Sequence, residues 1–145
     1  MKALASAWPF WALLSAGFAA LTAIFAKLGV DRVGSDLATL IRTVVVLTLL
    51  VGIVSATRQW QPLGSISPRG YLFLLLSGLA TGASWLCYFR ALRLGDAARV
   101  APVDKLSVVF VAILAAFFLG ERLSAMNWLG VALIAGGAVL VALGR

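Results

Sequence analysis

Two adjacent charged residues, Asp104 and Lys105, lie in the segment PVDKLS, within a stretch that is otherwise apolar. A charged side chain at the centre of a membrane helix costs about 2.5–3.5 kcal/mol on insertion scales. Such residues persist when they pair with an opposite charge, face water or take part in function. This segment is therefore a candidate for ion pairing or for ligand binding inside a membrane.

Arg42 is a second charge within an apolar stretch, about six residues or roughly 9 Å beyond the expected start of its helix. Asp104 is the obvious opposite charge for Arg42. Lys105 points about 100° away from Asp104 on an ideal helix, so one carboxylate cannot easily serve both cations. With Lys27 at the end of the first apolar stretch, positive charge is in surplus. That surplus predicts an anionic or carboxylate-bearing ligand, a lipid phosphate or water as the counterpart.

Polar side chains recur at helical spacing on the segments that carry these charges. Thr39 lies three residues before Arg42, and Ser107 lies three residues after Asp104, so each pair shares one helix face. Such faces, converging on charge, predict a water-accessible substrate pocket in which a tryptophan offers an apolar or stacking wall. The residues predicted to bind the substrate are Lys27, Thr39, Arg42, Ser84, Trp85, Tyr88, Asp104, Lys105 and Ser107.

Structural interpretations of the same charges stay open. In one of them Pro102 begins the fourth helix, and Asp104 then lies in the first turn, where a carboxylate complements free N–H groups. For Lys27 and Arg90, the structural interpretation is snorkelling to the membrane surface. Glu121, in FLGERLS, is either a helix-end carboxylate or a proton-coupling group, and Asp104 also suits proton coupling.

The elements that must position these residues are transmembrane helices. The chain has 145 residues and is 63% hydrophobic, against about 45–50% for ordinary soluble domains. Each apolar stretch is long enough to cross a hydrocarbon core of about 30 Å. We therefore expect an all-α integral membrane bundle, a single domain over residues 1–145. Its five spans are predicted at residues 8–28, 36–56, 70–92, 97–120 and 125–144.

Several sequence signals predict where these helices begin, end and pack. Ser67 and Pro68 are expected as N-cap and first residue of the third helix, and Gly29 and Gly95 as breakers after the first and third. The N-terminal apolar run is longer than a signal-peptide core, so a retained span is expected. Small residues let membrane helices approach closely, and those predicted to do so are Gly78, Gly82, Ala112, Ala116 and Gly120.

The net charge of +7 is attributed to membrane orientation and headgroup anchoring, because no nucleic-acid-binding motif accompanies it. The absence of histidine and the scarcity of carboxylates leave no nucleophile–base pair, so neither an enzyme nor a cofactor or metal site is expected. The numbers of basic residues on the two predicted membrane faces differ only slightly. This small difference fits either insertion in both orientations (dual topology) or one topology with a weak bias. One face holds Lys2, Arg58, Arg69 and Arg122, and the other Lys27, Arg32, Arg90, Arg93, Arg99 and Arg145.

Several motifs together resemble a single EamA-type domain of the drug/metabolite transporter superfamily. They are TAIFAKLGV, ATLIRTVVVL, SWLCYFRAL followed by PVDKLS, and FLGERLS followed by WLGVALIAGG. The closest similarity is to the short five-span bacterial and archaeal transporter group. The resemblance implies a secondary carrier of small organic solutes in the bacterial inner membrane. It also implies that this chain is one half of a ten-helix inverted-repeat transporter, completed as an antiparallel homodimer.

Three functions stay open at this point. The first is an alternating-access transporter of small metabolites, with or without proton coupling. The second is a flippase for a lipid-linked anionic substrate, with a phosphate held by Lys27, Arg42 and Lys105. The third is a non-transporting subunit of a membrane assembly. The four-span multidrug carriers of the superfamily use an acid in the first span, and this chain has none there.

Overall fold

The structure is a computed structural model of the single chain. It describes residues 8–30 and 32–144. Lys2 and Arg145, which enter the charge comparison between the two membrane faces, lie outside the described residues, as do the ends of the predicted domain. The described residues form helices and connecting segments only.

Within the described residues, five helical stretches are long and apolar enough to cross a membrane, as the sequence predicted. In each of them, at most 11% of the most apolar 18-residue window is buried within the chain. Their side chains must therefore meet lipid or another protein chain. The helices are α1 (Trp8–Val30), α2 (Ser35–Ala56), α3 (Pro68–Leu94), α4 (Ala97–Asp104), α5 (Ser107–Leu114) and α6 (Ala125–Leu143), with a 3-10 turn at Leu63–Ser65.

The helix ends follow the predicted signals closely. Pro68 is the first residue of α3, and the Ser67 hydroxyl accepts a hydrogen bond of 3.1 Å from the Gly70 N–H. α3 ends at Leu94, directly before the predicted breaker Gly95. Gly29 does not end α1, which continues to Val30. An isolated glycine near the end of a helix is tolerated when the following residue can still be packed, and Val30 is fully buried.

The fourth span, Ala97–Leu119, is not one regular helix. α4 contains Pro102 in its interior and ends at Asp104, and α5 begins at Ser107. The interpretation that Pro102 begins the helix, with Asp104 in the first turn, is therefore wrong. Proline lacks the N–H that an interior position donates, and the regular helix stops two residues later.

The same span ends in a π-helical turn, Ala115–Leu119. Gly120 follows it in a left-handed conformation with φ of +67°, and the Glu121 N–H donates to the Ala115 carbonyl at 3.2 Å. Only glycine adopts this conformation without a steric penalty from a Cβ atom. Gly120, predicted as a helix-packing residue, therefore has a clear role in ending the span.

The chain divides into two compact units. Phe25–Arg93 forms the unit that we call the Arg42 unit, and Met1–Ile24 with Leu94–Arg145 forms the Asp104 unit. The Arg42 unit contains the last turns of α1, all of α2 and nearly all of α3. Its buried side chains lie where α1 ends, α2 begins and α3 ends: Ala26, Val30, Thr39, Phe89 and Leu92.

In the Asp104 unit, α6 is the central element, because both α4 and α5 pack against it. The guanidinium of Arg99, near the start of α4, donates a 2.6 Å hydrogen bond to the Ala142 carbonyl in the last turn of α6. A cation at this position complements the free carbonyls and the dipole at a helix C-terminus. Ala138 of α6 and Ala115, the first residue of the π-helical turn, are buried in this unit.

Candidate functional site

Arg42 lies against aromatic rings inside the Arg42 unit. Its guanidinium carbon is 4.2 Å from the centroid of the Trp85 ring and 5.5 Å from that of Phe89. Both distances are within the range of about 6 Å in which a cation is attracted to a ring face. The positive charge of α2 is thus held by two rings of α3.

The sequence places these three residues opposite each other by simple helical geometry. Arg42 lies seven residues after Ser35, the first residue of α2, which is roughly 10 Å along the helix axis. Trp85 and Phe89 are four residues apart on α3, so they share one face. Because α3 approaches its end where α2 begins, that face meets Arg42 near the start of α2.

The energies show that aromatic contact does not fully compensate Arg42. A cation–π contact contributes about 0.5–2 kcal/mol, whereas insertion of arginine at mid-membrane costs about 2.5–3.5 kcal/mol. A guanidinium also has five N–H donors in its plane. Within the Arg42 unit, the ring contacts of Arg42 are those with Trp85 and Phe89. A ring face provides no oxygen for these donors, so water, lipid phosphate or a ligand would suit them.

An ion pair between Asp36 and Arg90 joins the start of α2 to the end of α3. Arg90 Nη2 lies 3.0 Å from Asp36 Oδ2, and Arg90 Nε lies 3.3 Å from Oδ1. This two-point arrangement matches the planar fork of arginine to a carboxylate. Both side chains are about 60% exposed. Arg90 therefore pairs with a carboxylate in addition to any approach to the membrane surface.

Lys27 makes a contact that the snorkelling interpretation does not include. Its ammonium donates a 2.8 Å hydrogen bond to the Leu92 carbonyl, in the last turn of α3. A cation there satisfies a carbonyl that has no partner within its own helix. Lys27 thus links α1 to the end of α3, and its role in substrate binding stays a prediction.

The other predicted pocket residues of this unit occupy different environments. Thr39 is only 6% exposed, and its hydroxyl donates to the Ser35 carbonyl at 2.8 Å. The Thr39 hydroxyl therefore donates its hydrogen bond within α2. Ser84 is exposed, and Tyr88 is half-buried beside the ring pair on α3. Trp85 lies against the Arg42 guanidinium, and its role as a wall of a substrate pocket stays a prediction.

In the Asp104 unit, Asp104 and Lys105 form an ion pair with each other. Lys105 Nζ lies 3.4 Å from Asp104 Oδ2. Lys105 therefore has a counter-charge within this unit, and its role in substrate binding stays a prediction. Lys105 is 100° from Asp104 around an ideal helix, but its flexible four-carbon stem lets the ammonium reach back. Ser107 begins α5 and is exposed. The pairing of Arg42 with Asp104 stays a prediction.

Glu121 is exposed and lies in the connection between the π-helical turn and α6.

Among the predicted helix-packing residues, Ala112 and Ala116 are half-buried. A Cβ atom built on Gly78 or on Gly82 meets no described atom within 4 Å. These two glycines therefore face open space in the single chain, and their use in helix packing stays a prediction.

Two contributors to the site were missed in the sequence. Phe89 is buried and supports the guanidinium of Arg42 from α3, and its position four residues after Trp85 was the available signal. Asp36 is the partner of Arg90. The available signal for Asp36 was its position as an acid in the first turn of α2, since α2 begins on the side where α3 ends.

Comparison with known proteins gives the family. The model of the EamA-like transporter family matches residues 6–143. An uncharacterized transporter in the cobO 3′ region of Sinorhizobium sp is 67% identical over 139 residues, which are 96% of this chain and 99% of the relative. No solved structure matches significantly.

Two other bacterial relatives are more distant. An uncharacterized transporter of Vibrio cholerae is 27% identical over 134 residues, which are 91% of this chain but only 41% of the relative. A probable 4-amino-4-deoxy-L-arabinose-phosphoundecaprenol flippase subunit, ArnE, of Pseudomonas fluorescens is 34% identical over 91 residues, 59% of this chain and 77% of the relative. With its five apolar helices, the protein is a multi-pass membrane protein of the bacterial inner membrane. The chain belongs to the EamA-like transporter family.

Proposed function

We propose that this protein is a secondary transporter of small organic metabolites that works by alternating access. Membership in a transporter family supports the general role. The observation that carries the proposal is the position of Arg42, a permanent cation roughly 10 Å inside α2 that is held against the Trp85 ring. Ionised residues at membrane depth commonly mark a substrate or ion pathway.

The transport assay uses purified protein in liposomes and uptake of radiolabelled carboxylates, sugar phosphates, amino acids and amines. We expect saturable uptake of at least one class above that of empty liposomes, with strong loss in Arg42→Ala. A folded, correctly assembled Arg42→Ala protein with normal transport removes Arg42 from the site. Uptake equal to empty liposomes for every class contradicts the metabolite-transport proposal.

The working unit that we propose is an antiparallel homodimer of five-span chains. The chain aligns with only 41% of the length of the Vibrio relative, as one part of a longer transporter would. The weak charge difference between the two faces is compatible with insertion in both orientations. Gly78 and Gly82 face open space in the single chain, which allows a close approach by a second helix.

Tags on both termini, detected from outside and inside intact cells, test this assembly. Dual topology predicts that each tag is detected on both faces, and crosslinking then captures a dimer. Detection of each tag on one face only contradicts the antiparallel homodimer and favours a parallel or heteromeric assembly.

Proton coupling is part of the proposal, with Asp104 and Glu121 as candidate carriers. Asp104 is half-buried beside Lys105, and Glu121 is exposed. We expect that an imposed proton gradient stimulates uptake and that either Asp104→Asn or Glu121→Gln removes the stimulation. Uptake that is independent of the gradient contradicts coupling.

A lipid-linked substrate is the second candidate, favoured by the similarity to a relative that is described as a flippase subunit. In that case, fluorescent phospholipids or phosphopolyprenols in liposomes become accessible to an external quencher only when the protein is present. Because that relative is a subunit, the similarity also favours a third candidate, a non-transporting member of an assembly. This candidate predicts a heteromeric partner that co-purifies with the chain and no transport by the chain alone.

A further inference from the structure

Arg42 contacts two aromatic rings, neither of which carries a formal negative charge. Trp85 and Phe89 approach the cation at 4.2 and 5.5 Å between the guanidinium carbon and the ring centroids. A ring attracts the cation but provides no oxygen acceptor for the N–H groups of the guanidinium. We propose that these N–H groups bind an oxyanion, a carboxylate or phosphate of the transported molecule. This inference rests on the proposed transport function.

The charge distribution of the Arg42 unit supports an anion. Asp36, the acid among the described residues of this unit, is held by Arg90 at two points. Asp36 therefore already has a cationic partner, and no second described carboxylate of the unit lies near Arg42 to receive a cationic substrate. Arg42 itself is half-buried, where an opposite charge is attracted more strongly than in water.

The geometry of arginine narrows the ligand further. Two parallel N–H groups of a guanidinium match the two oxygens of a carboxylate or phosphate. Hydroxyl and amide oxygens have no comparable charge, so neutral sugars and peptides gain less from the same edge. The rings of Trp85 and Phe89 restrict the orientation of the guanidinium, which favours one approach direction for the oxyanion. Lysine cannot reproduce this arrangement, because its ammonium is a point charge.

Trp85 supplies an intrinsic reporter for a binding experiment on the full chain. The protein contains five tryptophans, and replacing Trp8, Trp11, Trp60 and Trp128 with Phe leaves Trp85 as the sole fluorescent indole. The protein is kept in detergent micelles and titrated at constant ionic strength with inorganic phosphate and with succinate. Chloride is the control for an anion without paired oxygens. Tetramethylammonium is the control for a cation.

We expect saturable changes in Trp85 fluorescence with phosphate or succinate, and none with chloride or tetramethylammonium. Arg42→Gln should weaken binding by roughly tenfold or more, since a charged hydrogen-bonded partner is lost. Arg42→Lys should bind more weakly than the parent, and Arg93→Gln, at the exposed end of α3, should bind equally well. Melting curves of all variants show that each is folded.

A second arm identifies the source of the oxyanion. Micelles that contain phosphatidic acid are compared with micelles that contain only phosphatidylcholine. A response to phosphatidic acid but not to phosphate or succinate assigns the oxyanion to a lipid headgroup, and the reverse assigns it to a soluble solute. Equal responses of the parent and Arg42→Gln, or binding of tetramethylammonium alone, overturn the inference.

This experiment separates the inference from the proposed function, because binding in micelles does not require transport. Transport in liposomes without Arg42-dependent oxyanion binding overturns the inference and keeps the transporter. Oxyanion binding at Arg42 without transport of any metabolite class keeps the site and overturns the transporter.

Discussion

Arg42 and Trp85 form the contact that joins the charged part of α2 to α3, with 4.2 Å between the guanidinium carbon and the ring centroid. Within its own unit, Arg42 is supported by an aromatic ring, and its pairing with Asp104 stays a prediction. This contact orients the Arg42 cation against a neutral ring. It therefore underlies both the transport proposal and the oxyanion proposal.

The Arg42–Trp85 contact predicts a measurable coupling between the two side chains. A double-mutant cycle of Arg42→Gln and Trp85→Leu should give an interaction free energy of about 0.5–2 kcal/mol. The measurement is unfolding in mixed micelles titrated with denaturing detergent. Arg42→Gln combined with Trp128→Leu, on α6, is the matched control and should be additive. Additive effects of Arg42 and Trp85 would show that the stacking contributes nothing to stability.

The Asp36–Arg90 pair predicts a stability effect that depends on salt. Both side chains are about 60% exposed, so Asp36→Asn or Arg90→Gln should lower the free energy of unfolding by only about 0.2–1 kcal/mol. The charge-exchanged double variant, Asp36→Arg with Arg90→Asp, should recover part of the loss. High salt should reduce the difference because exposed charges are screened. An exchange variant that is less stable than both single variants argues against a direct pair.

Lys27 should stabilise the end of α3 through the Leu92 carbonyl. Lys27→Met removes the 2.8 Å hydrogen bond and should lower the free energy of unfolding by about 1.5–3 kcal/mol, the range for hydrogen bonds to charged groups. Lys27→Arg keeps a cationic donor and should lose less. Arg32→Met, at an exposed position in the following connection, is the control for charge removal alone. Equal losses in Lys27→Met and Arg32→Met would indicate a general charge effect.

Gly120 should be sensitive to any side chain. Its φ of +67° is in the left-handed region, where a Cβ atom costs about 1–2 kcal/mol. Gly120→Ala should therefore lower the melting temperature in detergent. Gly17→Ala, in the middle of α1 with no described atom within 4 Å of the added Cβ, should be neutral or stabilising. A Gly120→Ala protein with unchanged melting temperature would mean that the turn rearranges without penalty.

The sequence alone determined the class of fold and the number of spans. Long apolar stretches in lipid leave the helix as the way to satisfy backbone hydrogen bonds, so hydropathy predicted five membrane helices, which the structure confirms. Ser67 with Pro68, and Gly95, predicted helix ends correctly because capping and proline effects are local. The family resemblance was also readable, since its motifs extend along nearly the whole chain.

Only the tertiary structure decided which side chains meet. Helical spacing places residues on faces, but it does not say which cation takes which partner when several charges lie near one membrane side. Arg90 takes Asp36, Lys27 takes the Leu92 carbonyl, and Lys105 reaches back to Asp104. These choices depend on long, flexible side chains and on how neighbouring helices are rotated. The support of Arg42 by Trp85 and Phe89 likewise arises from the packing of α2 against α3, because neither helix contains both the charge and the rings.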